Sequence, residues 1–408
     1  MGSAVIVDVV RTASGKGKPG GALSGVHPAT LLSTVLAELL RRNDFDPALV
    51  DDVITGCVSQ SGEQALNVGR TAVLAGGLPE TVPATTIDRQ CGSSQQAAHF
   101  AAQGVLAGAY DVAIACGVES MSRVPMFSNT QGQDATAGPL AERYPDGLVQ
   151  QGISAELISA RWKLDRGALD AYAARSHARA AATAADGGFA PEIVGVSVVD
   201  PAGGTPAGES PAGVSTVHQT DETVRAETTE DSLAALQPSF ADDALAARFH
   251  EIDWSITPGN SSPLTDGASA ALVMSEDMAQ RLGLRPRARF HSFAVLGSDP
   301  LLMLTGPIQA CRKALTRGGL SIDDIDAYEI NEAFAPVPLV WQHELSADPE
   351  RLNPRGGAIA LGHPLGASGT RLLTTLVNHL EATGGRFGIQ SMCEGGGMAN
   401  ATVVERLD

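Results

Sequence analysis

Residues 353–369 read Asn353-Pro354-Arg355-Gly356-Gly357-Ala358-Ile359-Ala360-Leu361-Gly362-His363-Pro364-Leu365-Gly366-Ala367-Ser368-Gly369. Five glycines in seventeen residues let the backbone approach a ligand or another loop closely. They frame one imidazole, His363, just ahead of an apolar pattern at 368–383 that reads as a helix. A lone histidine is as often structural as chemical, so two companion segments decide the matter. Asp88-Arg89-Gln90-Cys91-Gly92-Ser93-Ser94 sits between a strand pattern and an Ala-rich helix pattern running from about Cys91 to Leu106. Cys91 therefore meets the positive end of a helix dipole, which favours a thiolate and offers free N–H groups. Its polar flanks fit a buried inert cysteine badly. Cys393-Glu394-Gly395-Gly396-Gly397 closes a strand pattern and sets bare N–H groups beside a second thiol, which suits an oxyanion site as well as a simple turn. Two thiols and an imidazole suggest one cysteine as nucleophile and the other as acid/base. That pairing suits carbon–carbon bond chemistry better than hydrolysis, because a proton must also move at carbon.

Outward from these segments, strand and helix patterns alternate. Strand-like runs at 4–10, 52–58, 84–88 and 111–117 are separated by helical runs at 28–42, 66–75 and 91–106. From about 120 to 254 helices, among them 166–185 with Leu169, Tyr172, Ala173 and Ser176 on one face, alternate with loops. Residues 201–209 are too rich in Gly and Pro for regular structure. A second α/β run follows, with strands at 268–274, 287–296, 325–330, 388–392 and 402–406 and helices at 307–317 and 368–383. The expected class is α/β, with a loop-and-helix unit inserted in the first of two units of like texture.

Composition removes several function classes. The chain has 408 residues, 43% of them hydrophobic, enough for two or three packed domains. With 28 basic against 46 acidic residues and 4% aromatics, the net charge of −18 disfavours nucleic acid and anionic membranes as partners. The N-terminal residues show no cationic segment before an apolar run. The most apolar long stretch, 97–116, is interrupted by His99, Gln103 and Asp111, so no membrane span is expected. Five cysteines without a CxxC pair read as reduced thiols of a cytoplasmic enzyme. Gly15-Lys16-Gly17-Lys18-Pro19-Gly20 matches a dinucleotide fingerprint only formally, because no helix pattern opens there. His250-Glu251 and His343-Glu344 lack the second histidine of a zinc-protease motif, and no metal site is expected.

Cys91 with its surroundings, Asn331-Glu332-Ala333-Phe334-Ala335, the 356–369 block and Cys393-Glu394-Gly395-Gly396-Gly397 together resemble the thiolases. The resemblance runs from Val9-Val10-Arg11-Thr12 through Gly117-Val118-Glu119-Ser120-Met121-Ser122 to the C-terminal residues. It implies a five-layered core of two similar α/β halves. The N-terminal thiolase domain would span 1–275, with a loop domain of about 119–254 inserted, and the C-terminal one 283–408. It also implies a homodimer or homotetramer acting on CoA thioesters, with coenzyme A as substrate and no cofactor.

By the same resemblance Cys91 is the acyl-carrying nucleophile, His363 the base that activates it, and Cys393 the acid/base at the acetyl-CoA carbon. Asn331 orients a water that forms one oxyanion hole with His363, and the N–H groups of Cys91 and Gly395 form the second. Arg225, Ser232 and Ser262 align with coenzyme A contacts, and Met303 with a pocket methionine. Departures bear on the acyl chain. Gln150-Gln151 stands where acetoacetyl-CoA thiolases carry His-Met, Leu304 and Pro263 replace small residues, and Ser94-Gln95-Gln96 departs from the usual continuation after the nucleophile. A longer or bulkier acyl chain is as consistent with these residues as acetoacetyl. Glu394 is a further departure, and a carboxylate there is expected to keep Cys393 protonated. Two other readings compete. Decarboxylating ketoacyl-synthase-type enzymes replace the second cysteine with His or Asn, against Cys393. A non-catalytic acyl-CoA-binding scaffold is opposed by the four retained residues Cys91, Asn331, His363 and Cys393.

Overall fold

Apolar, β-branched runs at both ends of the chain form strands, and the stretches between them form helices with one buried face. The computed structural model describes residues 2–199 and 215–408. The first half contains β1 (Ala4–Thr12), α1 (Pro28–Arg42), β2 (Asp52–Gly56), α2 (Val68–Ala75), β3 (Ala84–Ile87), α3 (Ser93–Leu106) and β4 (Val112–Ser120). The chain then leaves the sheet for a segment containing α4 (Gln151–Trp162) and α5 (Arg166–Ala185), and returns as β5 (Thr265–Ser275). The second half contains β6 (Ala288–Gly297), α6 (Gly306–Gly318), β7 (Ala327–Ile330), α7 (Pro336–Leu345), α8 (Ser368–Thr383), β8 (Phe387–Glu394) and β9 (Met398–Arg406). The Gly/Pro-rich 201–209 stretch lies outside the described residues.

Sheet topology shows the duplication that texture only suggested. The main strand order is β7-β8-β9-β6-β1-β5-β4-β2-β3. In the first half β1 pairs antiparallel with β5, β5 antiparallel with β4, and β4 parallel with β2. In the second half β6 pairs antiparallel with β9, β9 antiparallel with β8, and β8 parallel with β7. Among these nine strands β3, parallel to β2, has no counterpart. The halves meet where Val5 and Ile6 of β1 face Arg289 and Ala288 of β6.

Three separate apolar clusters make the layers. Leu31, Leu32, Val35, Leu36 and Leu39 of α1 pack with Val68, Ala72 and Val73 of α2 on the outside of the first half. Ile308 and Leu315 of α6 and Val337, Val340 and Trp341 of α7 cover the outside of the second. Between the two half-sheets lie α3, through Ala97, Ala98, Ala101 and Ala102, and α8, through Leu373, Leu376, Val377 and Leu380. Five layers result: helix, sheet, helix, sheet, helix. Each buried leucine of α8 contributes roughly 1.5–3 kcal/mol, and the small residues of α3 let the middle layer stay thin.

Element ends differ from the sequence expectation for local reasons. Helix α2 begins at Val68, not Leu66, because Leu66 and Asn67 are left-handed (φ 55° and 61°) and Asn67 Oδ1 caps the helix by accepting from Arg70 N–H. Strands β8 and β9 run longer than their apolar cores because they form a hairpin in which Glu394 faces Met398. Its loop is Gly395-Gly396-Gly397, with φ of +79° at Gly396 and +77° at Gly397, where side chains would be strained. Gly15–Lys16 is a short strand against Thr265 and Asp266, and the next helix starts only at Pro28.

Candidate active site

Cys91 lies in the turn between β3 and α3, and Gly92 caps the helix. Local hydrogen bonds fix the turn: Gln90 N–H donates to Asp88 Oδ1 (2.6 Å), Arg89 N–H to Ser93 Oγ (2.9 Å), and Ser93 Oγ–H to Gln90 O (2.6 Å). The thiol is buried. Burial pushes it well above the ordinary cysteine range, and Cys393 and Glu394 nearby push it further. The helix end by itself favours a thiolate. Desolvation outweighs that dipole, so the resting group is a thiol and a base must take its proton.

The thiolase resemblance gives that role to His363. Gly362 before it has φ +84°, and a Cβ there would fall 2.5 Å from Thr265 Oγ1, which accepts the His363 N–H at 3.0 Å. A side chain at 362 would displace the histidine backbone. The ring's Nδ1 is 2.6 Å from Ser368 Oγ, and that hydroxyl donates to Pro364 O at 3.0 Å. With its proton committed to Pro364, Ser368 can only accept, so Nδ1 carries the ring hydrogen and Nε2 the lone pair. Burial, with Arg371 adding to it, lowers the imidazole from 6.5 to about 3, so it is neutral at working pH.

Nε2 is 3.4 Å from Asn331 Nδ2. Asn331 follows β7 and is tied to β8 by donating its N–H to Ser391 O (3.1 Å). Its Oδ1 is buried without a partner among the described residues. The same amide acts on the Cys393 thiol, opposing a burial that pushes Cys393 up to about 12. Asn331 thus bridges the imidazole and the second thiol. Cys91, Asn331, His363 and Cys393, far apart in sequence, form one buried cluster. Gly395 lies beside it in the hairpin loop, and a Cβ there would come within 3.1 Å of Gln90 Oε1 and 3.3 Å of Gln151 Nε2. Two amide side chains therefore lie against Gly395.

Two buried carboxylates that sequence reading did not single out hold the cluster. Glu332 accepts from Tyr172 OH (2.8 Å), Ser176 Oγ (2.7 Å), Asn353 Nδ2 (2.8 Å) and Ile359 N (3.1 Å), tying the residue next to Asn331 to α5 and the glycine block. Glu119 accepts from Val58 N (3.0 Å), Ser59 N (3.0 Å), Gln64 Nε2 (2.9 Å) and Gly366 N (2.9 Å), tying that block to the other half. Both were visible inside quoted strings, but a carboxylate that anchors reads like one that reacts.

Among the described residues Arg225, Ser232 and Ser262, aligned with coenzyme A contacts, form no hydrogen bond with Cys91 or Cys393. Arg225 is exposed, its backbone N–H donates to His177 Nδ1 on α5 (3.2 Å), and its guanidinium has no ion-pair partner among the described residues. Ser232 is exposed and caps a short helix, Glu230–Ala234, through reciprocal bonds with Thr229. Ser262 is half-buried and donates its N–H to Ala333 O (3.0 Å), which places it on the rim of the cluster. Met303 and Leu304 are buried in the apolar cluster that also contains Cys393. Among the described residues no group of three or more His, Cys, Asp or Glu is placed to hold a metal ion, and no helix is long and apolar enough to cross a membrane.

The family model for the N-terminal domain of thiolases matches residues 4–277, and that for the C-terminal domain matches 284–406. The chain belongs to the thiolase family. It is similar to a steroid 3-ketoacyl-CoA thiolase of Mycobacterium tuberculosis, 46% identical over 415 residues that cover 100% of this chain and 95% of that protein. A 3-ketoacyl-CoA thiolase of Erwinia tasmaniensis is 43% identical over 411 residues covering 100% of both chains. The crystal structure of the Bacillus anthracis acetyl-CoA acetyltransferase matches with a TM-score of 0.86 at 36% identity, covering 100% of this chain and 99% of that one. Neither the ketoacyl-synthase reading nor the scaffold reading is favoured by matches of this extent.

Proposed function

We propose that this thiolase cleaves 3-ketoacyl-CoA with free CoA to acetyl-CoA and a shortened acyl-CoA, and catalyses the reverse condensation, through an acyl group on Cys91. One observation carries the reading: a neutral His363, its lone pair on Nε2, shares a buried cluster with two thiols that are both protonated at rest. Cys91 Sγ adds to the 3-keto carbon as His363 takes its proton, and the carbonyl oxygen becomes an oxyanion. Collapse of that adduct breaks the bond between C2 and C3. The electron pair leaves as the enolate of acetyl-CoA, which takes a proton from Cys393. The thiol of free CoA then adds to the acyl carbon as its proton passes to the Cys393 thiolate, and Cys91 leaves as a thiolate that takes back the proton held by His363, so both thiols and the neutral imidazole are restored and turnover is ping-pong. His363 with a water oriented by Asn331 holds one oxyanion, and the N–H groups of Cys91 and Gly395 hold the other, each donor worth roughly 3–4 kcal/mol. CoA is consumed as substrate, and no step above needs a further cofactor.

We place the enzyme in the cytoplasm as a homodimer or homotetramer active in fatty-acid degradation, and assign Arg225, Ser232 and Ser262 to the CoA moiety and Met303 to the acyl pocket. The buried Leu304 and the polar Gln151 beside Gly395 support a pocket shaped for something other than the acetoacetyl group alone.

Incubation with acetoacetyl-CoA followed by intact and peptide mass measurement is expected to show an acetyl adduct on Cys91, absent from Cys91→Ser. No adduct at Cys91 would return the scaffold reading. The chain's −18 charge must yield locally to a phosphorylated substrate. Arg225→Ala is therefore expected to raise KM for CoA about ten- to a hundred-fold, about 1.5–3 kcal/mol for one charge-assisted bond, with little change in kcat. An unchanged KM would remove Arg225 from the CoA site.

A further inference from the structure

The reaction above gives no work to Glu394. It is fully buried, and neither carboxyl oxygen has a hydrogen-bond partner among the described residues. Alternation along β8 puts Met392 and Glu394 on the face opposite Cys393, and Met392 packs in one small cluster with Cys91. The Glu394 carboxyl lies against Gly92, where an added Cβ would fall 2.0 Å from Oε1. Asn400 of β9 holds the same peptide by donating Nδ2–H to Gly92 O at 3.0 Å. The carboxyl and the Cys91 thiol therefore share the N-terminal end of α3 through adjacent residues, and a negative charge on either occupies the same favourable field.

The charged and titratable groups facing Glu394 are few. From the 88–91 turn Arg89 attracts its charge, Asp88 repels it, and Cys91 is its neighbour. Its own strand supplies Cys393, β9 the neutral Asn400, and the first turn of α3 only Ser93, Ser94, Gln95 and Gln96. Burial pushes the carboxyl up to about 8, with Arg89 opposing the rise.

We propose that Glu394 is a positioning residue that governs the ionisation of Cys91: neutral, it leaves the end of α3 to the developing thiolate; ionised, it occupies that field and opposes it. This rests on Cys91 as the nucleophile and adds Cys91 to Cys393, its chain neighbour, as a thiol on which the carboxyl acts. Below its ionisation Glu394 is silent. Above it, proton transfer from Cys91 to His363 is resisted, so the parent enzyme loses thiolysis rate on an alkaline limb.

The test follows carbamidomethylation of Cys91 by iodoacetamide, read by peptide mass from about pH 6 to about pH 10, beside thiolysis of acetoacetyl-CoA over the same range. In Glu394→Gln the Cys91 midpoint is expected to fall by about one unit. Because a thiolate loses nucleophilicity as its pKa falls, alkylation between the Glu394 ionisation and the Cys91 midpoint gains about three-fold rather than ten-fold, and at lower pH, where Glu394 is neutral, it is unchanged. The alkaline limb of thiolysis disappears in Glu394→Gln and persists in Glu394→Asp. A Glu394→Gln protein that melts with the parent and alkylates at the parent's rate throughout the range overturns the proposal. Should that variant not fold, Arg89→Gln decides: removing the cation that favours Glu394 ionisation moves the limb to higher pH, and an unmoved limb is the contrary result. Alkylation follows Cys91 itself, so it stands apart from whether Cys91 carries the acyl group, which the adduct measurement decides.

Discussion

Cys393→Ala is expected to take and exchange an acyl group at Cys91 while thiolysis and condensation fall about 10²–10⁴-fold, the range for a lost general acid/base. Acylation from acetyl-CoA and return to labelled CoA require Cys91, His363 and the oxyanion donors, none of which alanine removes. Cleavage of a ketoacyl chain differs because the departing enolate must gain a proton at carbon. Cys393 is pushed up to about 12, so it keeps that proton across the working range and is a donor in wait, not a competing nucleophile. Alanine in its place leaves the small cavity of one sulfur in a packed strand, so the fold is expected to survive. Exchange of label into acetyl-CoA, compared with thiolysis by the same preparation, reads the split. Normal thiolysis in Cys393→Ala would show that the two thiols are wrongly assigned.

His363→Gln is expected to cost more, because one ring serves both steps. It removes the base for Cys91, about 10²–10⁴-fold, and an oxyanion donor, about 10²–10³-fold. The two losses are coupled and do not simply multiply, so a fall of at least about 10³-fold in kcat/KM is the expected reading, with the acyl adduct on Cys91 also lost. The parent's pH profile carries an independent check. A pKa lowered from 6.5 to about 3 keeps the imidazole neutral at every pH above that value. Thiolysis should therefore show no loss of rate as pH falls through the ordinary imidazole range. An acid limb centred near 6.5 that vanishes in His363→Gln would show that the ring is solvated in the working enzyme and that its burial was misjudged.

The α/β class was legible because the strands are short runs of Val, Ile and Ala and the helices have one apolar face. Both periods are local properties of the chain. The five-layered arrangement was reached only through the thiolase resemblance. No local pattern shows that Ala97, Ala98, Ala101 and Ala102 meet Leu373 and Leu376 between two half-sheets. Cys91, His363 and Cys393 stood out because each sits in a polar or glycine-rich frame that an apolar core would not select. Glu119 and Glu332 did not stand out, because the partners of each come from two segments distant in sequence, 58–64 and Gly366 for Glu119, α5 and 353–359 for Glu332.

The sequence by itself determined the element types, the reactive residue types and the glycines that allow close approach. It could not say which proton sits where. Reading the Cys91 turn alone predicts a thiolate at a helix end. Burial reverses that, because withdrawing the sulfur from water costs its charged form more than one helix dipole returns. The tautomer of His363 was equally closed to sequence, since it depends on whether the Ser368 hydroxyl is already committed to Pro364 O. Residue identity follows from the chain, whereas protonation state follows from what surrounds each group once water has left.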